Sequence, residues 1–395
     1  MNLLIIGGTI FAKNRGVAAI TKGCVVCLRK SLKNPQITII HSFVESYYPR
    51  RTAYLKNVKV VLDTEESFRN VALRIFIAIL YKMLSFFRVK AKILLYDRVL
   101  KEYENADIVI NLSYGDMFAY TKDLYSKRVF LTLAYHCMLA ILFNKPLFFF
   151  PQSIGPFYGK FYRFLARFIL NQCDVVMVRE KISYGYLLEM KVATSIFLVP
   201  DLSFVVKPVS NKRVFEILSK EKVELNRPLV GFALRDNLYP RLSEISKVID
   251  YLNSNMNTGV VFIPHDSKTV NYCNDPRVIA RKLLKKVNVK RQNSVVEGDY
   301  TVEELRGLIG KCDLFIGAYM HANISALSMC VPTIAISYSH KTQGIMDSVG
   351  LSEFVLDVNE LTATNLINKI EKMYNNIHEY REYLKRRIPI IREAV

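Results

Sequence analysis

Short apolar runs alternate along this chain with helix-length amphipathic stretches, the rhythm of strands feeding helices in a parallel sheet. In the first half, Leu3–Ile6, Ile37–His41, Val58–Leu62, Ile108–Leu112, Leu147–Phe150, Val175–Val178 and Ile196–Val199 are the predicted strands. They are apolar throughout rather than alternating, as suits strands covered on both faces. After Asp201 the tone changes: Lys207-Pro208 and a polar, charged stretch lead to a second series. Its strands are Val230–Leu234, Val260–Ile263, Ser294–Val296, Leu314–Ile316 and Thr333–Ser337, with an edge strand at Phe354–Leu356. The fold class expected is α/β, with two doubly wound domains in tandem joined near residues 203–226. Domains at 1–205 and 206–362 follow, and basic helices over 363–395, interrupted by Pro389, are expected to pack back on the first domain.

Composition agrees with two cores. At 395 residues the chain exceeds the roughly 250–300 that a single core usually serves, and 51% of it is hydrophobic. Lys plus Arg at 55 against Asp plus Glu at 35 gives +20, which favours phosphorylated or polyanionic partners and anionic membrane surfaces without choosing among them. Nucleic acid needs more than charge and is not expected. Seven cysteines without framework spacing argue for a reducing compartment. Cys24 and Cys27 form a CxxC inside a helix-like stretch with no second CxxC to complete a metal site, so no metal is expected. The start, MNLLIIGGTIF, has no basic leader region and reads as a buried strand, so a cytoplasmic location is expected. The longest apolar run, Val129–Phe143, is 15 residues, short of the roughly 20 that a spanning helix needs. It reads as a buried helix. Arg74–Lys101 mixes Phe, Ile and Leu with seven Lys or Arg residues. It reads either as an amphipathic helix on an anionic bilayer, a peripheral contact at the inner face of the membrane, or as a helical hairpin on the domain surface.

In open parallel sheets ligands bind outside the carboxyl ends of the strands, so the residues after each strand are the candidates. In the second half these are Arg235-Asp236-Asn237, Pro264-His265-Asp266, Tyr319 with His321, and His340-Lys341; three of the six histidines lie there. In the first half they are Asn14-Arg15-Gly16, Ser113 to Asp116, Gln152 to Pro156, and Arg179. Gly7-Gly8 is not a dinucleotide fingerprint, because the glycine that should open the helix is missing. Each side chain alone carries little. Together they predict an edge that binds a small anion with phosphate and carboxylate groups, with Arg235 and Lys341 supplying charge and the helix after His321 supplying N–H groups. His321 is the acid or base candidate, imidazole being the side chain suited to proton transfer near the working pH.

These residues resemble the polysaccharide pyruvyl transferases. The likeness rests on Asn14-Arg15-Gly16 with Ala18-Ala19, on ADIVINLSYGD ending at Asp116, and on KPLFFFPQSIGP from Lys145 to Pro156. It continues through Val178-Arg179-Glu180 with Ser183, Val199-Pro200-Asp201, Ile263-Pro264-His265, and Gly317 through His321 to Lys341. The resemblance implies two Rossmann-like domains facing across a cleft, similar to GT-B glycosyltransferases. It also implies transfer of the enolpyruvyl unit of phosphoenolpyruvate onto two hydroxyls of a sugar or lipid-linked glycan, leaving a ketal and phosphate. On that reading His321 is catalytic, and Lys341, Arg235, Tyr319 and His265 bind the donor. Asn14 and Asp116, with Gln152 and Arg179, serve the acceptor from the opposite domain. No cofactor is implied, phosphoenolpyruvate being a co-substrate. The chain departs from the family's pattern twice: Tyr319 stands where an arginine is usual, and Val17 where an acidic residue is usual. A GT-B glycosyltransferase using a nucleotide sugar, and a relative that binds glycans or anions without catalysis, are the alternatives.

Overall fold

The apolar runs do become parallel strands, and the chain divides into two compact units, Met1–Ala12 with Ile20–Leu202 and Lys13–Ala19 with Ser203–Val395. A computed structural model describes residues 1–42, 55–63, 68–87, 94–119, 124–266, 275–288 and 293–395. Part of the expected amphipathic segment, residues 88–93, lies outside the described residues.

The first unit runs β1 (Asn2–Ile6), α1 (Arg15–Ser31), β2 (Gln36–Ser42), β3 (Val58–Asp63), α2 (Phe68–Phe86), α3 (Arg98–Asn105) and β4 (Ile108–Asn111). It continues with β5 (Asp116–Ala119), α4 (Leu124–Leu142), β6 (Leu147–Phe157), α5 (Lys160–Asn171), β7 (Val175–Val178), α6 (Lys181–Glu189) and β8 (Ile196–Leu198). The strands pair in parallel in the order β3-β2-β1-β4-β6-β7-β8, with β5 on the side of β6. Leu4, Ile6, Val109 and Phe149 of the sheet pack with Phe130 and Leu139 of α4 and with Ala166 and Ile169 of α5. The run read as a buried helix is α4. Among the described residues no helix is long and apolar enough to cross a membrane.

The second unit runs α7 (Asn211–Lys220), β9 (Leu229–Ala233), α8 (Leu242–Ser254), β10 (Gly259–Phe262), α9 (Pro276–Leu284), β11 (Asn293–Val295) and α10 (Val302–Ile309). Then come β12 (Leu314–Gly317), α11 (Met320–Ser328), β13 (Thr333–Ser337), α12 (His340–Val349), β14 (Val355–Asp357), α13 (Ala363–Asn375) and α14 (Ile377–Glu393). The sheet order is β11-β10-β9-β12-β13-β14, all parallel. Alternate residues of its central strands serve two cores. Val230, Phe232, Leu314 and Ile316 join one, with α8 and α9; Leu229, Ala233 and Phe315 join the other, with α7 and α10. That is a sheet covered on both sides, which explains strands that are apolar without a period of two.

Two expectations change. The stretch near 203–226 is no linker, because it contains α7, whose Val214 and Ile217 are buried with Leu305 and Leu308 of α10. The C-terminal helices belong to the second unit, not the first. Leu384, Ile388 and Ile391 of α14 join its larger core, and Arg392 donates to the carbonyls of Phe204 and Ser328.

A buried polar network pins α2 to the first sheet. Arg74 donates to Asp63 at 2.6 Å and to Asp97 at 2.9 Å. Next to it His136 Nδ1 lies 2.9 Å from the Tyr103 hydroxyl, and its Nε2 lies 3.6 Å from Asp63. Burial, helped by Arg74, outweighs Asp63 and lowers this imidazole to about 4. The unfolded chain therefore binds a proton there that the folded chain refuses, and stability falls as pH falls. Between pH 6.5 and 4 this group should cost roughly 3 kcal/mol, measured by urea unfolding across that range. His136→Gln is expected to flatten the slope by that amount, and an unchanged slope would refute the assignment.

Candidate active site

In the second sheet β9 and β12 are neighbours, yet the chain leaves them for different faces. The segment after β9 leads to α8, whereas α11, which follows β12, packs beside α10 of the opposite core. Such a switch point leaves a crevice at the carboxyl ends of the strands. The residues delivered there are Arg235, two after β9, and Tyr319 and His321 after β12. His321 sits inside the first turn of α11, not ahead of it. The close turn is held by Asn323, whose Nδ2 donates to the Gly317 carbonyl at 3.1 Å. A Cβ on Gly317 would lie 2.0 Å from Asn323 Oδ1, so the turn requires glycine.

Arg235 lies between two aromatic rings, its guanidinium carbon 4.1 Å from the centroid of Tyr338 and 5.6 Å from that of Tyr319. It also pairs with Asp236 at 3.5 Å. Stacking of this kind holds a guanidinium flat and leaves its edge to a ligand. Tyr319 is buried, and burial together with Asp266 pushes its phenol well above the ordinary range, so it is neutral at any working pH. The guanidinium that meets the Tyr319 ring comes from the end of β9.

His265, after β10, is 1% exposed, and its ring lies 6.4 Å from that of Tyr319. Neither ring nitrogen has a hydrogen-bond partner among the described residues. Burial first, then His321 and Arg15, lower this imidazole well below its usual value. It is a neutral ring rather than a second cation beside Arg235. Lys341 is the second residue of α12, one strand over from β12, and is half-buried.

Asn14, expected on the first domain, belongs to the second unit with its neighbours 13–19. It forms a bridge to Asp266, and the Arg15 amide donates to the His265 carbonyl at 3.1 Å. The Asn14 side chain caps α1, accepting from the Gly16 amide at 2.9 Å. Arg15 pairs with Asp299. Gly16 lies against His321: a Cβ there would stand 2.3 Å from the His321 Nδ1. So the Asn-Arg-Gly turn packs on the ring of the candidate acid or base. Val17, in the same turn, is a buried apolar residue.

In the first unit the corresponding strand ends form a second polar cluster. Ser113 and Tyr114, with φ of 43° and 51°, hold a left-handed turn after β4, a conformation that costs energy and recurs at functional sites. Asn111 stabilises it by accepting from the Ser113 amide at 2.8 Å, and the Tyr114 amide donates to the Gly7 carbonyl at 2.5 Å. The turn delivers Asp116, which opens β5 and is partly exposed. Arg179 donates to Asp116 and Asp201 at 2.8 Å each and to the Ser153 hydroxyl at 3.0 Å. Burial works against this guanidinium, and the two carboxylates outweigh it. Arg179 and Gln152 are both buried, Gln152 donating to the carbonyls of Asn111 and Phe150. Neither offers a surface to a sugar as expected; they position the turn and Asp116.

Sequence reasoning missed Tyr338 and the packing of Gly16 on His321. Tyr338 immediately follows β13 and could have been found by its strand-end place. Gly16 could not, since only the fold brings it to His321.

A family model described as polysaccharide pyruvyl transferase matches residues 24–340. The Amylovoran biosynthesis protein AmsJ of Erwinia amylovora is 27% identical over 418 residues, covering 98% of this chain and 95% of that protein. Among solved structures, a putative UDP-N-acetylglucosamine 2-epimerase from Listeria monocytogenes matches with a TM-score of 0.59 at 14% identity, covering 97% of this chain and 90% of its own. A glycosyltransferase from Rickettsia africae ESF-5 matches with a TM-score of 0.57 at 13% identity, covering 99% and 96%. At these identities the likeness is one of fold: two Rossmann-like domains of the GT-B kind.

Arg179→Met removes the guanidinium from a buried ion pair with Asp201 and is expected to cost about 3–5 kcal/mol of stability, read by chemical denaturation. A loss within experimental error would mean that the pair does not hold the turn.

Proposed function

Because the chain belongs to the polysaccharide pyruvyl transferase family, we propose that it forms a pyruvate ketal during synthesis of an extracellular polysaccharide, with phosphoenolpyruvate as donor. The name of its relative from Erwinia amylovora, a protein of amylovoran biosynthesis, supports the polysaccharide. The observation that carries the donor is Arg235, clamped between Tyr319 and Tyr338 at the switch point that also holds His321. A dianionic phosphate and a carboxylate suit such a guanidinium.

The chemistry matches those residues. A proton added to the methylene carbon makes it a methyl group and leaves an oxocarbenium-like carbon beside the carboxylate. One sugar hydroxyl adds there and gives up its proton. The carbon–oxygen bond to phosphate then breaks, and the second hydroxyl closes the ketal, so one inorganic phosphate leaves for each ketal formed. His321 is our acid or base for these transfers, while Arg235 and Lys341 balance the charge that grows on the departing phosphate. Neutral His265, packed under the site, keeps it from accumulating a further positive charge. Asp116 of the first unit is our candidate for a sugar hydroxyl. No cofactor is required beyond the co-substrate, and the cytoplasm, where phosphoenolpyruvate is made, suits the cysteines.

Purified protein incubated with phosphoenolpyruvate and glycan acceptors, lipid-linked ones included, should release phosphate only when acceptor is present. The acceptor should gain the mass of a pyruvate ketal. His321→Ala is expected to lower kcat by about a hundredfold or more. Arg235→Met should raise KM for phosphoenolpyruvate by about tenfold to a hundredfold. Tyr319→Arg sets a second guanidinium against Arg235 and should reduce activity; a gain would show that the tyrosine impairs a site built for arginine. Release of nucleotide from nucleotide sugars would move the assignment to a glycosyltransferase, and silence across a broad acceptor panel to a binding protein.

A further inference from the structure

On the first unit, α2 packs beside α4 and α4 beside α5, and each of the three turns large apolar side chains outward. Along α2 the exposed side chains include Leu73, Phe76, Ile79, Met83 and Phe86, steps of three and four that make one stripe, with Phe86 83% exposed. Along α5 they are Phe161, Phe164 and Phe168, again one stripe, with Phe164 69% exposed. Leu124 and Leu131 continue the face on α4. A monomeric soluble protein seldom leaves so much contiguous apolar surface uncovered.

Charge identifies the occupant. None of the three helices contains an Asp or Glu; α2 carries Arg69 and Lys82 besides Arg74, which is buried against Asp63 and Asp97, while α4 carries two Lys or Arg and α5 three. On α5 exposed Lys160, Arg163 and Arg167 repeat the spacing of the phenylalanines one residue behind them, so a basic stripe runs alongside the aromatic one, with Arg163 paired to Glu189 at 3.0 Å and Lys160 and Arg167 flanking it. Between the helices lies a groove of about 410 Å³ in which Lys127 and Arg128 stand beside Leu124 and Leu131. A second copy of this face would bring cations against cations. An anionic bilayer supplies both complements, phosphates for the basic stripe and acyl chains for the rings, to helices that are not long and apolar enough to cross it.

We infer that the α2–α4–α5 face docks the enzyme on an anionic membrane surface, its aromatic stripes inserted among the acyl chains. The assignment stands on this face alone and holds whichever reaction the chain catalyses.

The test is flotation of the full-length protein with vesicles of phosphatidylcholine alone, and of phosphatidylcholine and phosphatidylglycerol in equal parts. The protein should float with the anionic vesicles only, and added salt should weaken binding. Lys160→Gln/Arg167→Gln should weaken it by about fivefold per cation removed. Phe161→Ser/Phe164→Ser should reduce it further, with Tm unchanged because all four side chains are exposed. No flotation of the native protein, equal binding to both vesicle types, or variants that bind like the native protein would each overturn the proposal. So would self-association in sedimentation velocity that the phenylalanine variant abolishes, which would give the face to a second copy of the chain.

Discussion

The second unit depends on a constraint of parallel sheets. Two adjacent strands whose chains depart for opposite faces must leave their carboxyl ends uncovered, because no helix can bridge the gap between them. In this protein β9 and β12 are those strands, and the centre of the candidate site descends from their divergence. Arg235 follows one, Tyr319 and His321 follow the other, and a neutral His265 follows the next strand out. The glycine at the end of β12 lets α11 start at once, and that immediacy sets His321 in its first turn.

Within that crevice the chain solves a charge problem in an unusual way. Fixed positive charge favours an anionic ligand, yet burying several cations together is costly. Here one guanidinium is kept and is steadied by two tyrosine rings, while the nearest imidazole is buried deeply enough to stay neutral. Tyr319 is therefore part of the scaffold of a cation, which gives a physical meaning to a residue that otherwise reads as a missing charge.

The first unit shows the opposite economy. Its polar strand ends are bound to each other: Arg179 is spent on Asp116 and Asp201, and Arg74 on Asp63 and Asp97. What it turns outward on α2, α4 and α5 is apolar and basic. The helices that make that face contain no acidic residue of their own.

The sequence by itself determined the strands, since a buried parallel strand must be apolar on both faces and few other segments are. Val175–Val178 and Thr333–Ser337 were read to the residue. It also determined which side chains stand at strand ends, and so named Arg235, His321 and Asp116. It did not show β5, whose four residues begin with the polar Asp116, nor α7, whose charged surface resembles a linker. Only the tertiary structure decided the partnerships. Asn14 and Gly16 follow β1 in the chain but pack with His265, Asp266 and His321; α14 closes the unit it follows; and Arg179 turns inward to two carboxylates. Periodicity reports the face on which a residue sits, a local property of the backbone. Which distant group meets it is set by how the layers stack, and no local pattern encodes that.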